Sequence, residues 1–404
     1  MKTLSFFRKL APGKKTGPFP ALYHKRRKRP RCLLRFYLYI HHTKSEEKIK
    51  KISPVSSRAG VAAKESEDNM VCRIVMDIMI ERKRQRMMNR MKLIETSKAI
   101  LTNCMALQAN EAFLVVADEP KRELGEVLFE AGKQLGAEAM LMVMKEREKS
   151  GQEPPAAVAA AMKSADVVVC VTEHSLTHTK ARKEAAANGA RLATMPSITA
   201  DMFLEGAISA DYAQVKVLTE KVTELLTAAS TVRIEKAGKS LTFSIAGRNG
   251  VPSTGMYVNP GESGNLPSGE AYVAPLEGTA EGQIVVDGSI SGIGKIDSPL
   301  LLTIEKGRIT HAEGTSAERL LQILGDQDGR MLGEFGIGTN DKARITGVVL
   351  EDEKVYGTIH VAFGSNNTFG GTIVAGVHID LVVKEPDVYL DDTCIMKNGK
   401  LLGQ

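Results

Sequence analysis

The hydrophobic pattern of this chain changes period once, near Ala229, and the change requires two kinds of architecture in one polypeptide. Upstream, from Met91 to Ala228, short continuous apolar runs alternate with stretches of helical spacing. AFLVVA (112–117), AMLMVM (139–144), DVVVCVT (166–172) and RLATM (191–195) read as buried strands. Residues 119–135 place Leu124, Val127, Leu128 and Ala131 at i, i+3, i+4 and i+7, the stripe of an amphipathic helix. Residues 154–164, a stretch through 184–188, and 212–228 read as further helices. Strands without polar alternation, separated by helices, predict a parallel sheet covered on both faces. The expectation is an α/β N-terminal domain, Rossmann-like, over residues 91–228. No GxGxxG follows the first strand, so a dinucleotide fingerprint is absent.

Beyond Ala229 the period falls to two. VRIE (232–235), SLTFSI (240–245), QIVVD (283–287) and LLTI (301–304) read as antiparallel strands. Asn249-Gly250, Asp287-Gly288, Lys306-Gly307 and Asn398-Gly399 supply hairpin signals. One helix is expected over Ser316–Leu324, and GSISGIG (288–294) reads as a barrel corner or bulge. Residues 229–404 are therefore expected to form a β-rich C-terminal domain.

The net charge of +6 is the difference of two opposed parts. Residues 1–90 hold 24 of the 54 Lys/Arg and only 7 of the 48 Asp/Glu, whereas residues 91–404 carry a net −11. No acidic residue precedes Glu46, and Lys25–Arg29 is an unbroken basic block. Such a tail fits an organellar transit peptide or an arm for anionic surfaces, and no apolar segment of signal-peptide length follows its charges. The reading adopted is a disordered or mis-called N-terminal extension, with Met87, Met88 or Met91 as the start and no core of its own. The longest apolar stretches, 33–40 and 74–80, are broken by Arg35 and Asp77 and fall short of a membrane span. Five cysteines without a CxxC pair argue against a disulfide framework and for a reducing, cytoplasmic setting. With an acidic body, the expected partner is a metal, not nucleic acid or a membrane.

Two regions carry the chemistry. EHSLTHTKAR (173–182) follows the third strand, where open α/β sheets place ligand loops, and makes His178 and Arg182 candidate substrate-binding residues. His174 and His178 lie at i, i+4, a spacing that can hold a metal on a helix. The simpler reading has Ser175 or Thr177 capping the next helix and the histidines facing solvent or a partner domain. The second region is Val355–Phe363, where Val355, Ile359, Val361 and Phe363 share one face and Tyr356, Thr358 and His360 the other. In VHIDL (377–381) a period of two sends His378 and Asp380 to one face, about 6.5–7 Å apart along the strand. Two imidazoles and a carboxylate suit zinc, cobalt, manganese or ferrous iron rather than calcium. Glu270 and Glu334, each in a glycine-bounded segment, add two closely placed carboxylates.

NLPSGEAYVAP (265–275), LGEFGIGTN (332–340), GTIHVAFG (357–364) and GVHIDLVV (376–383), in that order, resemble the aminopeptidase T-like family of thermophilic metallopeptidases. SLTHTKARKEAAANGAR (175–191) resembles the same family, particularly its shorter bacterial members. The likeness covers residues 91–404. It implies a homodimeric, leucine-type aminopeptidase that cleaves N-terminal residues from peptides with metal-activated water. It also implies Glu270, Glu334, His360, His378 and Asp380 as ligands of two divalent ions, zinc, cobalt or manganese, with Glu334 as the bridge. One departure stands out: the family's metal-site tyrosine has no counterpart in Ser365–Phe369. The same superfamily includes ring-cleaving dihydroxypyridine dioxygenases, whose iron is held by two histidines and one aspartate. His360, His378 and Asp380 match that set. A non-catalytic metal-binding relative is the third reading.

Overall fold

The computed structural model describes the backbone of residues 61–403 and the side chains from Arg73 onward. The expectation for residues 1–60, the basic block included, lies outside the described residues. The chain divides into residues 1–76 and residues 77–404, and both sheet regions below belong to the second unit. Helix α1 (Val61–Asn103) runs through the segment that shows no sequence periodicity. It has no apolar stripe, and from Arg73 to Lys92 its side chains are almost all exposed. Its carboxyl end is different: Ser97, Ile100 and Leu101 are buried.

The α/β half is a parallel sheet of β1 (Ala112–Asp118), β2 (Glu138–Met144), β3 (Val167–Val171) and β4 (Arg191–Thr194), in the order β2-β1-β3-β4. Helices α2 (Arg122–Gln134), α3 (Ala156–Ser164), α4 (Lys180–Ala187), α5 (Ala200–Leu204) and α6 (Tyr212–Ala228) follow the strands. Leu124, Val127, Leu128 and Ala131 are the buried stripe of α2. The continuous apolar runs have a direct cause. Phe113, Val115, Val167 and Val169 enter one core, while Leu114, Val116, Val168 and Cys170 enter another on the opposite face. A fifth parallel strand, β8 (Ser263–Asn265), pairs with β4 and comes from beyond Ala229. Its Ser-Gly-Asn sequence carries no strand signal, and only the tertiary fold recruits it.

The β-rich half is two antiparallel sheets. The first contains β5 (Thr231–Lys236), β6 (Lys239–Ser244), β10 (Glu281–Val286), β13 (Leu300–Glu305), β14 (Arg308–Glu313), β18 (Asp387–Leu390), β19 (Thr393–Lys397) and β20 (Lys400–Leu401). The second runs β12-β11-β17-β16-β15-β9-β7, from β7 (Val251–Ser253), β9 (Glu270–Val273), β11 (Ser289–Ile290), β12 (Gly294–Lys295), β15 (Leu332–Gly338), β16 (Thr358–Gly364) and β17 (His378–Lys384). Their inner faces share one core, and Phe243 of β6 meets Phe335 of β15 edge to face at 5.5 Å. Helix α7 (Ala317–Leu324) adds Leu320 and Leu324 to it.

Lys306-Gly307 and Asn398-Gly399 are tight turns with both residues at positive φ, as their sequences predict. Asn249 and Asp287 are not at positive φ, whereas Ala237-Gly238 makes the β5–β6 turn unannounced. Strand β16 starts at Thr358, so Val355 lies before it rather than on its apolar face. Ile359, Val361 and Phe363 of β16, Phe335 and Ile337 of β15, and Leu381 and Val383 of β17 all point into the core. By alternation, the intervening residues form the outer face of this sheet. Thr219 of α6 and Thr339 share a buried 2.6 Å hydrogen bond at its edge.

Candidate metal centre

The outer face gathers polar side chains over a floor with almost none. His360 lies opposite Gly336, Asp380 opposite Ala362, His378 opposite Gly364, and Glu270 opposite Gly338. Small residues therefore stand where bulkier ones would block the larger side chains. A register shift between Leu332 and Glu334 marks a bulge in β15 at the residue that becomes the centre of the cluster.

Glu334 joins the two imidazoles. Its Oε1 lies 3.1 Å from Nε2 of His360, and its Oε2 lies 3.3 Å from Nε2 of His378. Nε2 of His378 is also 3.2 Å from Oδ1 of Asp380. Nδ1 of His378 faces the Ser365 carbonyl at 2.8 Å, and the Ser291 hydroxyl donates to Oδ2 of Asp380 at 3.2 Å. These second contacts orient both donors, as metal ligands require. Glu270 reaches the group through its Oε2, 3.6 Å from Nε2 of His360 and without a hydrogen-bond partner.

The electrostatics follow from the packing. Burial pushes the Glu334 carboxyl up, but the hydrogen bonds and charges of His360 and His378 outweigh it and hold it below the usual carboxylate range. Asp380 is likewise pushed up by burial and then held well below its ordinary value, chiefly by His378. Burial lowers His360, yet Glu334 and Glu270 raise it to about 9. His378 is raised well above its ordinary value against its own burial, by Asp380 and Glu334.

The donors present fit a divalent metal. Ligand atoms of Glu334, His378 and Asp380 lie within 4.8 Å of one another, as do those of Glu270, Glu353 and His360. Contacts of 3.1–3.3 Å between these atoms are close to the ~3 Å edge expected of neighbouring ligands bonded at ~2.1 Å to one ion. The orphaned Oε2 of Glu270 is the kind of buried atom a cation would satisfy.

All five acid and histidine positions singled out in the sequence thus come together. His178 and Arg182 do not join them directly. His178 is exposed at the surface, and partial desolvation by neighbouring groups together with the charge of His378 lowers its pKa. Arg182 is committed to the Thr177 carbonyl and the Ser263 hydroxyl, each at 2.7 Å. His174 sits 3.7 Å from Glu146 and precedes α4, whose cap is Thr179 rather than Ser175 or Thr177. The i, i+4 histidines are therefore not a helical pair.

Sequence reasoning missed Lys354, Glu353, Tyr272 and Phe369. Lys354 is 1% exposed and donates to Oε1 of Glu270 at 2.5 Å and to Glu353. Within EDEKV (351–355) it reads as a solvated turn, and no sequence signal marks its burial. The Phe369 ring lies nearly perpendicular to the rings of His378, at 6.0 Å, and of Tyr272, at 5.3 Å. A cleft of about 530 Å³ lined by Arg248, Asn249 and Leu276 reaches this cluster only through Phe369, so the chemistry is located by the donors and not by the cleft.

The profile of the family described as NicX, 2,5-dihydroxypyridine 5,6-dioxygenase, matches residues 92–403. The chain belongs to the NicX family. A family member from Pseudomonas putida, described as 2,5-dihydroxypyridine 5,6-dioxygenase, is 28% identical over 188 residues, or 41% of this chain and 52% of that protein. The aligned stretch thus spans about half of that relative's length. A solved structure of 2,5-dihydroxypyridine dioxygenase from Pseudomonas putida superposes with a TM-score of 0.68 at 20% identity, covering 78% of this chain and 98% of that one. Aminopeptidase T from Thermus thermophilus also shares the fold, with a TM-score of 0.60 at 17% identity over 77% and 99% of the two chains. The α/β plus β-rich architecture expected from the sequence is therefore the architecture of both.

Membership of the NicX family corrects the aminopeptidase assignment. A leucine-type hydrolase acting on peptides is not what this family is. The motifs behind that expectation encode the strands, turns and glycine floor that hold the donors, and such a scaffold does not by itself fix the reaction. Among the described residues, no helix is long and apolar enough to cross a membrane.

Proposed function

We propose that this NicX-family protein is an iron-dependent dioxygenase that opens the ring of a dihydroxylated pyridine or a closely related aromatic diol. The observation that carries the reading is the convergence of His378, Asp380 and Glu334 on one point, beside His360, in a chain of this family. His360, His378 and Asp380 would hold the ion, with Glu334 as a further carboxylate between the imidazoles. Ferrous iron bound there supplies the one-electron chemistry by which oxygen reacts with a closed-shell aromatic ring.

The remaining steps belong to the chain's own groups. Phe369 and Tyr272 would give a flat aromatic ring apolar surface to pack against beside His378. Glu334, held below the usual carboxylate range by His360 and His378, keeps its charge at neutral pH and would offset part of the ion's charge. His178, close enough to feel His378 and Glu334, would meet the substrate from the segment before α4, and Arg182 in the first turn of α4 holds that segment through the Thr177 carbonyl. Cys104, Cys170 and Cys394 are free thiols, which fits a cytoplasmic setting.

The test is oxygen uptake. Protein loaded with iron(II) without air and then mixed with 2,5-dihydroxypyridine should consume one oxygen per ring, with loss of the ring's near-ultraviolet absorbance. Metal-loaded protein that consumes no oxygen across dihydroxypyridines and catechols overturns the reading.

A further inference from the structure

Lys354 occupies a position that a metal ion would otherwise claim. Glu270, Glu353 and His360 form a second set of donors within 4.8 Å of one another, adjoining the first. The Lys354 ammonium already lies among them, 2.5 Å from Oε1 of Glu270 and hydrogen-bonded to Glu353. The side chain is sealed from water, as are both partners to within 9% and 12% exposure.

The backbone holds it there. The Lys354 carbonyl accepts from the Asn340 amide at 2.9 Å, and its own amide donates to the Glu351 carbonyl at 3.0 Å. A Cβ at Gly338 would stand 2.8 Å from the Lys354 carbonyl carbon, so β15 also packs tightly against this turn. The ammonium therefore cannot retreat to solvent when another cation approaches.

Charge decides between the alternatives. Glu270, Glu334, Glu353 and Asp380 bring four carboxyl groups into one buried cluster. The ammonium and one divalent ion together set three positive charges against them. A second divalent ion would take Glu270 and Glu353 from the lysine and leave a buried cation unpaired, the costliest arrangement of the set.

We propose that Lys354 is the built-in second cation of this centre, filling the place between Glu270 and Glu353 so that the protein holds a single metal ion, at Glu334, His378, Asp380 and His360. The inference rests on the metal-centre reading above and makes Lys354 the residue that sets the metal count. Removing its charge opens the second position.

Metal counting tests it. The full chain, stripped with chelator, is loaded with cobalt(II), desalted, and measured by elemental analysis and visible absorbance. Wild type should retain one cobalt per chain, Lys354→Arg one, and Lys354→Met two. Two in wild type, or one in a Lys354→Met protein with wild-type circular dichroism, overturns the proposal. If Lys354→Met does not fold, the neutral Lys354→Gln variant takes its place, expected to bind two with Glu270 and Glu353 both retained as ligands. A single cobalt in that folded variant counts against the proposal, and if neither variant folds the wild-type count decides. The count stands apart from turnover. One metal without oxygen uptake sinks the dioxygenase reading alone, and two metals with oxygen uptake sink this one alone.

Discussion

A Cβ at Gly336 would stand 2.1 Å from Nε2 of His360, its partner across β15 and β16. The imidazole keeps its place only because that position has no side chain. Gly336→Ala should therefore displace His360 and weaken metal binding by about 10–100-fold, the range seen when a ligand loses its supporting shell. Cobalt titration measures this, with far-ultraviolet circular dichroism expected to stay unchanged. Wild-type affinity in the variant would remove His360 from the ligand set.

Without metal, the centre should make the protein less stable as the solution becomes alkaline. His360 is pushed down by burial but raised to about 9 by Glu334 and Glu270, above its unfolded value near 6.5. A raised imidazole contributes fully below about 6.5, and that contribution is lost as pH rises through 9. Burial raises Glu353 to about 8, and this has the same sign. Urea unfolding of the stripped protein between pH 6.5 and 9.5 should show a loss of order 3 kcal/mol from His360, at about 1.4 kcal/mol per unit. Stability that instead climbed across this window would contradict the paired imidazole.

Metal uptake near pH 7 should release protons. Both imidazoles are held protonated by the surrounding carboxylates and must lose that proton to bind a cation. Calorimetric titration in buffers of different ionisation enthalpy will show a heat proportional to that enthalpy. A heat independent of buffer would mean the donors were already neutral.

Phe243→Ala should cost about 3–5 kcal/mol, because it empties the junction between the two β sheets. Phe243 is 1% exposed and packs on Phe335, directly beneath the face that carries Glu334 and His360. The thermal midpoint should fall, and the metal-loaded form should recover part of the loss. A change under 1 kcal/mol would place the inter-sheet core elsewhere.

Much of this protein is legible in one dimension. Val167–Val171 and Ala112–Asp118 announce themselves as strands buried on both faces because parallel sheets need apolar residues on each side. His378 and Asp380 are visible as same-face residues because strand alternation is a property of the backbone alone. Strand β8 is not legible, since Ser263–Asn265 acquires its role only by lying beside β4. The part of helix α1 before Met91 is not legible either, for it has no apolar stripe to betray it.

The reaction was the harder matter. Glycine-bounded motifs around Glu270 and Glu334 specify a framework, and a framework does not choose its chemistry. Periodicity and motif order by themselves determined the two architectures and the residue types able to bind a metal. Tertiary structure alone brought Glu334 between His360 and His378 and buried Lys354 against Glu270. The reason is physical: a charge at position 354 costs nothing in an unfolded chain, and acquires its meaning only when neighbouring strands exclude water from it.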